Sequence, residues 1–288
     1  MKHALAMCTG LCLVAVSVGV MVAQEESGGV MPPPNVLVVQ REYVKPGRSG
    51  AAHEKSESAF VAAMSAAKWP THYLAAESLS GRPRVLFMVG YPSFEAWEKD
   101  NHAIAKDEVL SAKLDKLGMA DGDLLNNYDQ GVFAYDPDLS LHTGDVVHSR
   151  YFKISKYVVK PGHLAEFAEL VKMYQQGFAD RANVDWAMYQ SYYGEDNGGV
   201  YIRISRMTSL AEDDASMGDG MKLAAAMGAE KMKKLRELSA SCIEAQQTNL
   251  YAFNPKMSYP GDEWIKADPF WKPKAAPMAK KHAAPATP

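Results

Sequence analysis

Tyr43-Val44-Lys45-Pro46-Gly47 recurs as Val158-Val159-Lys160-Pro161-Gly162, with Lys-Pro-Gly displaced by 115 positions. The same displacement lays Val85-Leu86-Phe87-Met88-Val89 on Val200-Tyr201-Ile202-Arg203-Ile204 without a gap. Further on, Lys113-Leu114-Asp115-Lys116-Leu117 matches Lys231-Met232-Lys233-Lys234-Leu235. Val132-Phe133-Ala134-Tyr135-Asp136-Pro137 likewise matches Leu250-Tyr251-Ala252-Phe253-Asn254-Pro255, both displaced by 118 positions. Matches in one order along the chain point to an internal duplication. Its period is longer than the roughly 20 to 50 residues of solenoid and propeller units, so the copied unit is a domain.

Each copy predicts the same elements. Residues 36–43 are rich in Val and alternate as a half-buried strand should. Lys-Pro-Gly ends that strand, because proline denies the ladder a donor and glycine turns the chain. A helix follows, clearest where Leu164, Phe167, Ala168, Val171 and Tyr174 recur at helical spacing. Residues 72–79 and 84–91 form a hairpin across Ser80-Gly81-Arg82-Pro83, and residues 186–193 and 200–206 form its counterpart. A second helix starts near Ser93 and near Ser209, and a fourth strand closes each copy. The order βαββαβ is the ferredoxin-like, split βαβ pattern, whose sheet carries helices on one face only. The expected fold class is therefore α+β: two tandem βαββαβ ferredoxin-like repeats packed sheet-to-sheet as a pseudo-dimeric α/β barrel.

The chain has 288 residues, 47% hydrophobic and 23% charged, an ordinary composition for a folded protein. A formal charge of −3 gives no basic excess to draw it to nucleic acid. Residues 1–23 read as a secretory signal peptide, with Lys2 before an apolar run that ends at Met21-Val22-Ala23. That run is shorter than the roughly 20 residues a bilayer span needs, so no membrane span is expected. Cleavage near Ala23 leaves Cys242 as the one thiol and makes the mature protein secreted or periplasmic. The boundaries that follow are a Pro-rich linker at 24–35, repeat 1 at 36–140, a linker at 141–148 and repeat 2 at 149–259. A Pro/Ala/Lys-rich tail at 260–288 is largely disordered, with Trp264, Phe270 and Trp271 packing back on the domain.

The element order, the strand-ending Lys-Pro-Gly motifs and the aromatic helix start Phe94-Glu95-Ala96-Trp97 resemble the dimeric α/β-barrel superfamily. That superfamily includes antibiotic-biosynthesis-monooxygenase-like and NIPSNAP-like domains, and the resemblance is to a fused tandem. It implies a fold, not one reaction, since members include cofactor-free monooxygenases, haem-degrading enzymes and domains without known activity. Trp97, Asn101 and His102 lie where haem-binding relatives place a histidine, and are the catalytic candidates the resemblance supplies. The second copy has no histidine in its equivalent stretch.

A cavity between the sheets would be lined by one face of each strand. Alternation nominates Glu42, Glu77, Lys153, Tyr157, Tyr192, Tyr201 and Arg203 as ligand-binding residues. Arg203 and Lys153 could hold an anionic group, and Glu42 or Glu77 could serve as a base. His53 and Glu57 stand one helical turn apart but lack the second histidine of a zinc-protease helix, so they read as a solvated face. Asp121-Gly122-Asp123 reads as a turn, because Leu125 stands where a calcium ligand would be needed. No metal and no cofactor are expected, haem being the alternative. The functional expectation is an exported small-molecule-binding protein that takes a small apolar or aromatic molecule and is monomeric because the dimer is fused. The alternatives are a cofactor-independent monooxygenase or haem-degrading enzyme, and a non-catalytic interaction domain.

Overall fold

The computed structural model describes residues 32–48, 50–144 and 146–272. The expected signal peptide and residues 273–288 of the tail lie outside the described residues. The first half runs β1 (Val36–Val44), α1 (Ala51–Ala67), β2 (Tyr73–Ser78), β3 (Val85–Tyr91), α2 (Phe94–Lys106), α3 (Glu108–Gly122) and β4 (Leu125–Leu141). The second runs β5 (Tyr151–Val159), α4 (Leu164–Phe178), β6 (Trp186–Tyr193), β7 (Val200–Met207), α5 (Ala211–Ser216), α6 (Asp219–Cys242) and β8 (Ile243–Phe253). The single second helix expected in each half is thus split. Asp107 makes the first break, ending α2 while its side chain accepts from Leu110 N to cap α3.

The eight strands form one closed antiparallel barrel in the order β1-β3-β2-β8-β5-β7-β6-β4. The two halves meet edge to edge. Ala76 of β2 pairs with Phe253 of β8, and Tyr135 of β4 pairs with Tyr189 of β6. Closure leaves no free edge, which removes the unpaired donors and acceptors that two separate sheets would expose.

Strand alternation divides the side chains between the interior and the helix-covered outside. Leu37, Val39, Leu86, Met88, Phe133, Phe152, Tyr189, Ile202 and Tyr251 share the interior cluster. Val44, Ala75, Val85 and Phe87 pack together outside β1–β3, whereas Tyr157, Val159 and Tyr201 pack outside β5–β7 with Phe167 and Leu170 of α4. Among the described residues no helix is long and apolar enough to cross a membrane.

Residues 262–271 are folded: α7 (Asp262–Ala267) leads into a short 3-10 turn (Pro269–Trp271). Trp271 is fully buried against Phe253, and its indole donates to Val147 O at 2.6 Å. Arg150 holds the segment through Asp268 at 2.6 Å. Cys242 is a buried free thiol, which burial pushes above its ordinary pKa.

Candidate functional site

The interior is not completely filled. A cavity of about 310 Å³ opens at the end of the barrel where β1 and β5 begin. Leu37, Leu74, Met88, Phe152, Ile204 and Phe253 form its apolar wall, and Pro32–Pro34, Pro260 and Trp264 form its rim. Polar groups enter from His72, Asp185, Tyr189 and Arg206. The volume is at the lower end of the roughly 300–1,000 Å³ typical of small-molecule pockets.

The local chain conformation explains this placement. Arg206 ends the interior row Ile202, Ile204, Arg206 on β7 and pairs with Asp185 at 3.2 Å. A Cβ on Gly144 would stand 2.2 Å from Arg206 Nη2, so a larger residue there would push the guanidinium aside. Burial raises the Asp185 pKa, with Arg206 acting in the opposite direction. The His72 ring packs at a 45° tilt against Tyr259, with ring centroids 4.7 Å apart, and its Nδ1 is buried without a hydrogen-bond partner. Burial, then Tyr135, pushes the Tyr189 hydroxyl well above its ordinary value. The pocket thus offers an apolar volume, one fixed cation beside a carboxylate, and an imidazole nitrogen with hydrogen-bonding capacity to spare.

None of the seven residues nominated for the cavity lines it. Tyr157 and Tyr201 are buried outside the barrel against Phe167, at centroid distances of 5.6 and 4.7 Å. Arg203 lies over the Trp186 ring, and Lys153 pairs with Asp213 at 2.5 Å. Glu77 accepts from Asn254 Nδ2 at 3.2 Å, and Tyr192 is exposed beside Phe94. Glu42 Oε2 lies within hydrogen-bond distance of His53 Nε2, at 2.9 Å, on the helix side of β1. The correction has one physical root for β7. Leu37 pairs with Gly90, and its counterpart Phe152 pairs with Arg206, so the two third strands are displaced by 116 positions rather than 115. A one-residue slip exchanges the faces of a strand, which sends Ile202 and Ile204 inward and Tyr201 and Arg203 outward.

Trp97, Asn101 and His102 line an open groove on α2 with Phe94, Glu95 and Glu98. Asn101 and His102 are exposed, and the groove lies outside the barrel. It does not suit haem: it has no buried apolar slot, and the carboxylates of Glu95 and Glu98 would oppose the propionates.

The chain matches no protein-family model and no curated protein sequence. It is similar in structure to a proposed monooxygenase of Fusobacterium nucleatum subsp. nucleatum: 12% identity, TM-score 0.50, with 77% of this chain and 94% of that one covered. An anthrone oxidase-like protein gives 13%, 0.50, 76% and 91% in the same terms. A mutant chlorite dismutase of Candidatus Nitrospira defluvii gives 11%, 0.48, 84% and 98%. The fold is the ferredoxin-like α/β barrel. At these identities the likeness extends to the fold alone.

Proposed function

We propose that the barrel mouth binds a small, mainly apolar or aromatic molecule bearing one polar or anionic group that His72 and Arg206 recognise. The observation that carries this reading is the apolar cavity of about 310 Å³ with the unpartnered His72 Nδ1 on its wall. Arg206 supplies the anion contact, and Leu37, Met88 and Ile204 supply the apolar one. The protein belongs to the exported class if residues 1–23 direct it as their pattern reads, and it works as one chain whose halves arose by duplication and replace the two subunits of a dimer.

The test is native mass spectrometry of freshly purified protein, followed by thermal-shift screening with small aromatic acids and phenols. Binding is expected in the wild type, and Ala187→Trp, which fills the cavity, is expected to abolish it while the fold is kept. An empty protein that no compound stabilises, or binding that survives Ala187→Trp, overturns the reading. A second reading is oxidation of such a molecule, the class of reaction named for two of the structural neighbours. His72 would then be the group that takes a proton from the ligand. Turnover of a bound phenol under oxygen, lost in His72→Ala even at phenol concentrations that saturate the variant, separates catalysis from binding.

A further inference from the structure

Outside the barrel, between the sheet and the helices of the first half, four side chains converge that the proposed pocket does not use. Glu42 comes from the end of β1, His53 and Glu57 from successive turns of α1, and Asp121 from the last turn of α3. All four are at most 5% exposed. His53 Nε2 stands 2.9 Å from Glu42 Oε2, 3.8 Å from Glu57 Oε1 and 3.7 Å from Asp121 Oδ1. One nitrogen and three carboxylate oxygens thus lie within 4.8 Å of one another.

Two of those oxygens point to a ligand. Beyond the carboxyl–carboxyl contact that Glu57 and Asp121 make with each other, Glu57 Oε1 and Asp121 Oδ1 are buried without a hydrogen-bond partner, and so is the nearby hydroxyl of Tyr73. Buried polar atoms are almost always satisfied, so unsatisfied ones converging on one point call for a group that satisfies them. A proton shared among the carboxylates serves one or two atoms, whereas a cation serves all four. Donors at about 2.0–2.2 Å from one ion lie about 3–4 Å from each other, which matches the spacing of Glu57 and Asp121 from His53.

We propose that Glu42, His53, Glu57 and Asp121 form a binding site for one divalent first-row cation of the Zn²⁺ or Mn²⁺ kind. The imidazole selects against Mg²⁺ and Ca²⁺, which take all-oxygen shells with several waters, and all four ligand side chains are buried. Gln40 Nε2 donates to Glu42 Oε1 at 2.7 Å and fixes the carboxylate from behind, as outer groups around metal ligands do. Three carboxylates and one dication leave a single negative charge. Binding requires the carboxylates to be deprotonated, so a proton leaves to solvent as the ion enters. With its ligands on β1, α1 and α3, the ion would tie both long helices of this half to its sheet.

The full chain is produced in medium supplemented with Zn²⁺ or, separately, Mn²⁺, passed over a chelating resin, and assayed for metal by mass spectrometry. About one equivalent per chain is expected, with a higher Tm than protein made under chelation. Asp121→Asn and His53→Gln are expected to retain less than about a tenth of that metal. Both variants keep side-chain shape, and melting of each in the absence of metal shows whether it folds; Glu42→Gln replaces either that does not. Wild-type protein without stoichiometric metal under both supplements overturns the site. So does metal that persists in the folded variants, which places it elsewhere. Because this site is on the opposite face of the sheet from the pocket, either proposal can fail without the other.

Discussion

Arg41 and Glu42 are neighbours on β1, and each anchors a polar cluster, one on either face of the sheet, the inner one partly open to water and the outer one buried. Inside, Arg41 pairs with Asp129 and with Glu195, at 2.5 Å for the latter, and Lys156 also reaches Glu195. Two cations meet two anions at the end of the barrel away from the pocket. Outside, Glu42 meets Glu57 and Asp121 with only His53 between them. The electrostatics separate accordingly. Burial alone would raise the pKa of Glu195, but its hydrogen bonds with Arg41 and Lys156 outweigh it and the net direction is down. Glu57 is pushed up to about 10 by burial and then by the charges of Glu42 and Asp121. Burial by itself therefore does not decide whether a carboxylate stays ionised; the partner on the same face does.

The largest effect should come from breaking the balanced cluster. Arg41→Met leaves Glu195, whose side chain is 4% exposed, with Lys156 alone, while Asp129, 40% exposed, turns to water. Stability should fall by about 3 kcal/mol, as removal of one partner from a buried pair does, measured by urea unfolding. A loss near zero would mean that water already reaches the pair. Glu195→Gln should cost less, about 2 kcal/mol, because Arg41 keeps Asp129. Acid gives the same comparison without mutation. Glu195 has a lowered folded-state pKa, so its contribution is complete above its unfolded value and is lost as the pH falls through the folded one. Unfolding midpoints followed downward from pH 6 should decline below about pH 4, and the decline should be shallower in Glu195→Gln. Equal slopes in both proteins would assign the acid sensitivity to other carboxylates.

Most of the fold could be read from the chain, and most of the site could not, for one geometric reason. Periodicity assigns residues to alternate faces, and the repeated Lys-Pro-Gly stops fix where strands end, so β1, β5 and the two hairpins were legible. Which face becomes interior depends on how the sheet closes, and an offset of 116 rather than 115 positions in β7 reverses that assignment for Tyr201 and Arg203. Arg206 and His72, which do enter the cavity, sit at strand ends where alternation is weakest as a guide. His53 and Glu57 were visible at helical spacing, yet charge on a helix ordinarily means solvent. Their burial depends on Asp121, distant in sequence and carried by a helical turn that the Asp-Gly-Asp pattern marked as a loop. Ser93 shows the other extreme. A cap is a local feature, and its side chain accepts from Ala96 N at 3.1 Å as its position beside Phe94 implied.

The smallest effect tests the unbalanced cluster. Burial and the charges of Glu42 and Asp121 favour the protonated form of Glu57, so Glu57→Gln exchanges one neutral side chain for another of nearly the same shape. In metal-free protein the change should shift unfolding free energy by less than about 1 kcal/mol, against about 2 for the same substitution at Glu195. The contrast isolates the partner as the cause, because side chain and isostere are alike and the side chains are similarly buried, 6% exposed for Glu57 and 4% for Glu195. A loss at Glu57 as large as that at Glu195 would require an ionised carboxylate there, held by a positive charge that His53 alone would have to supply.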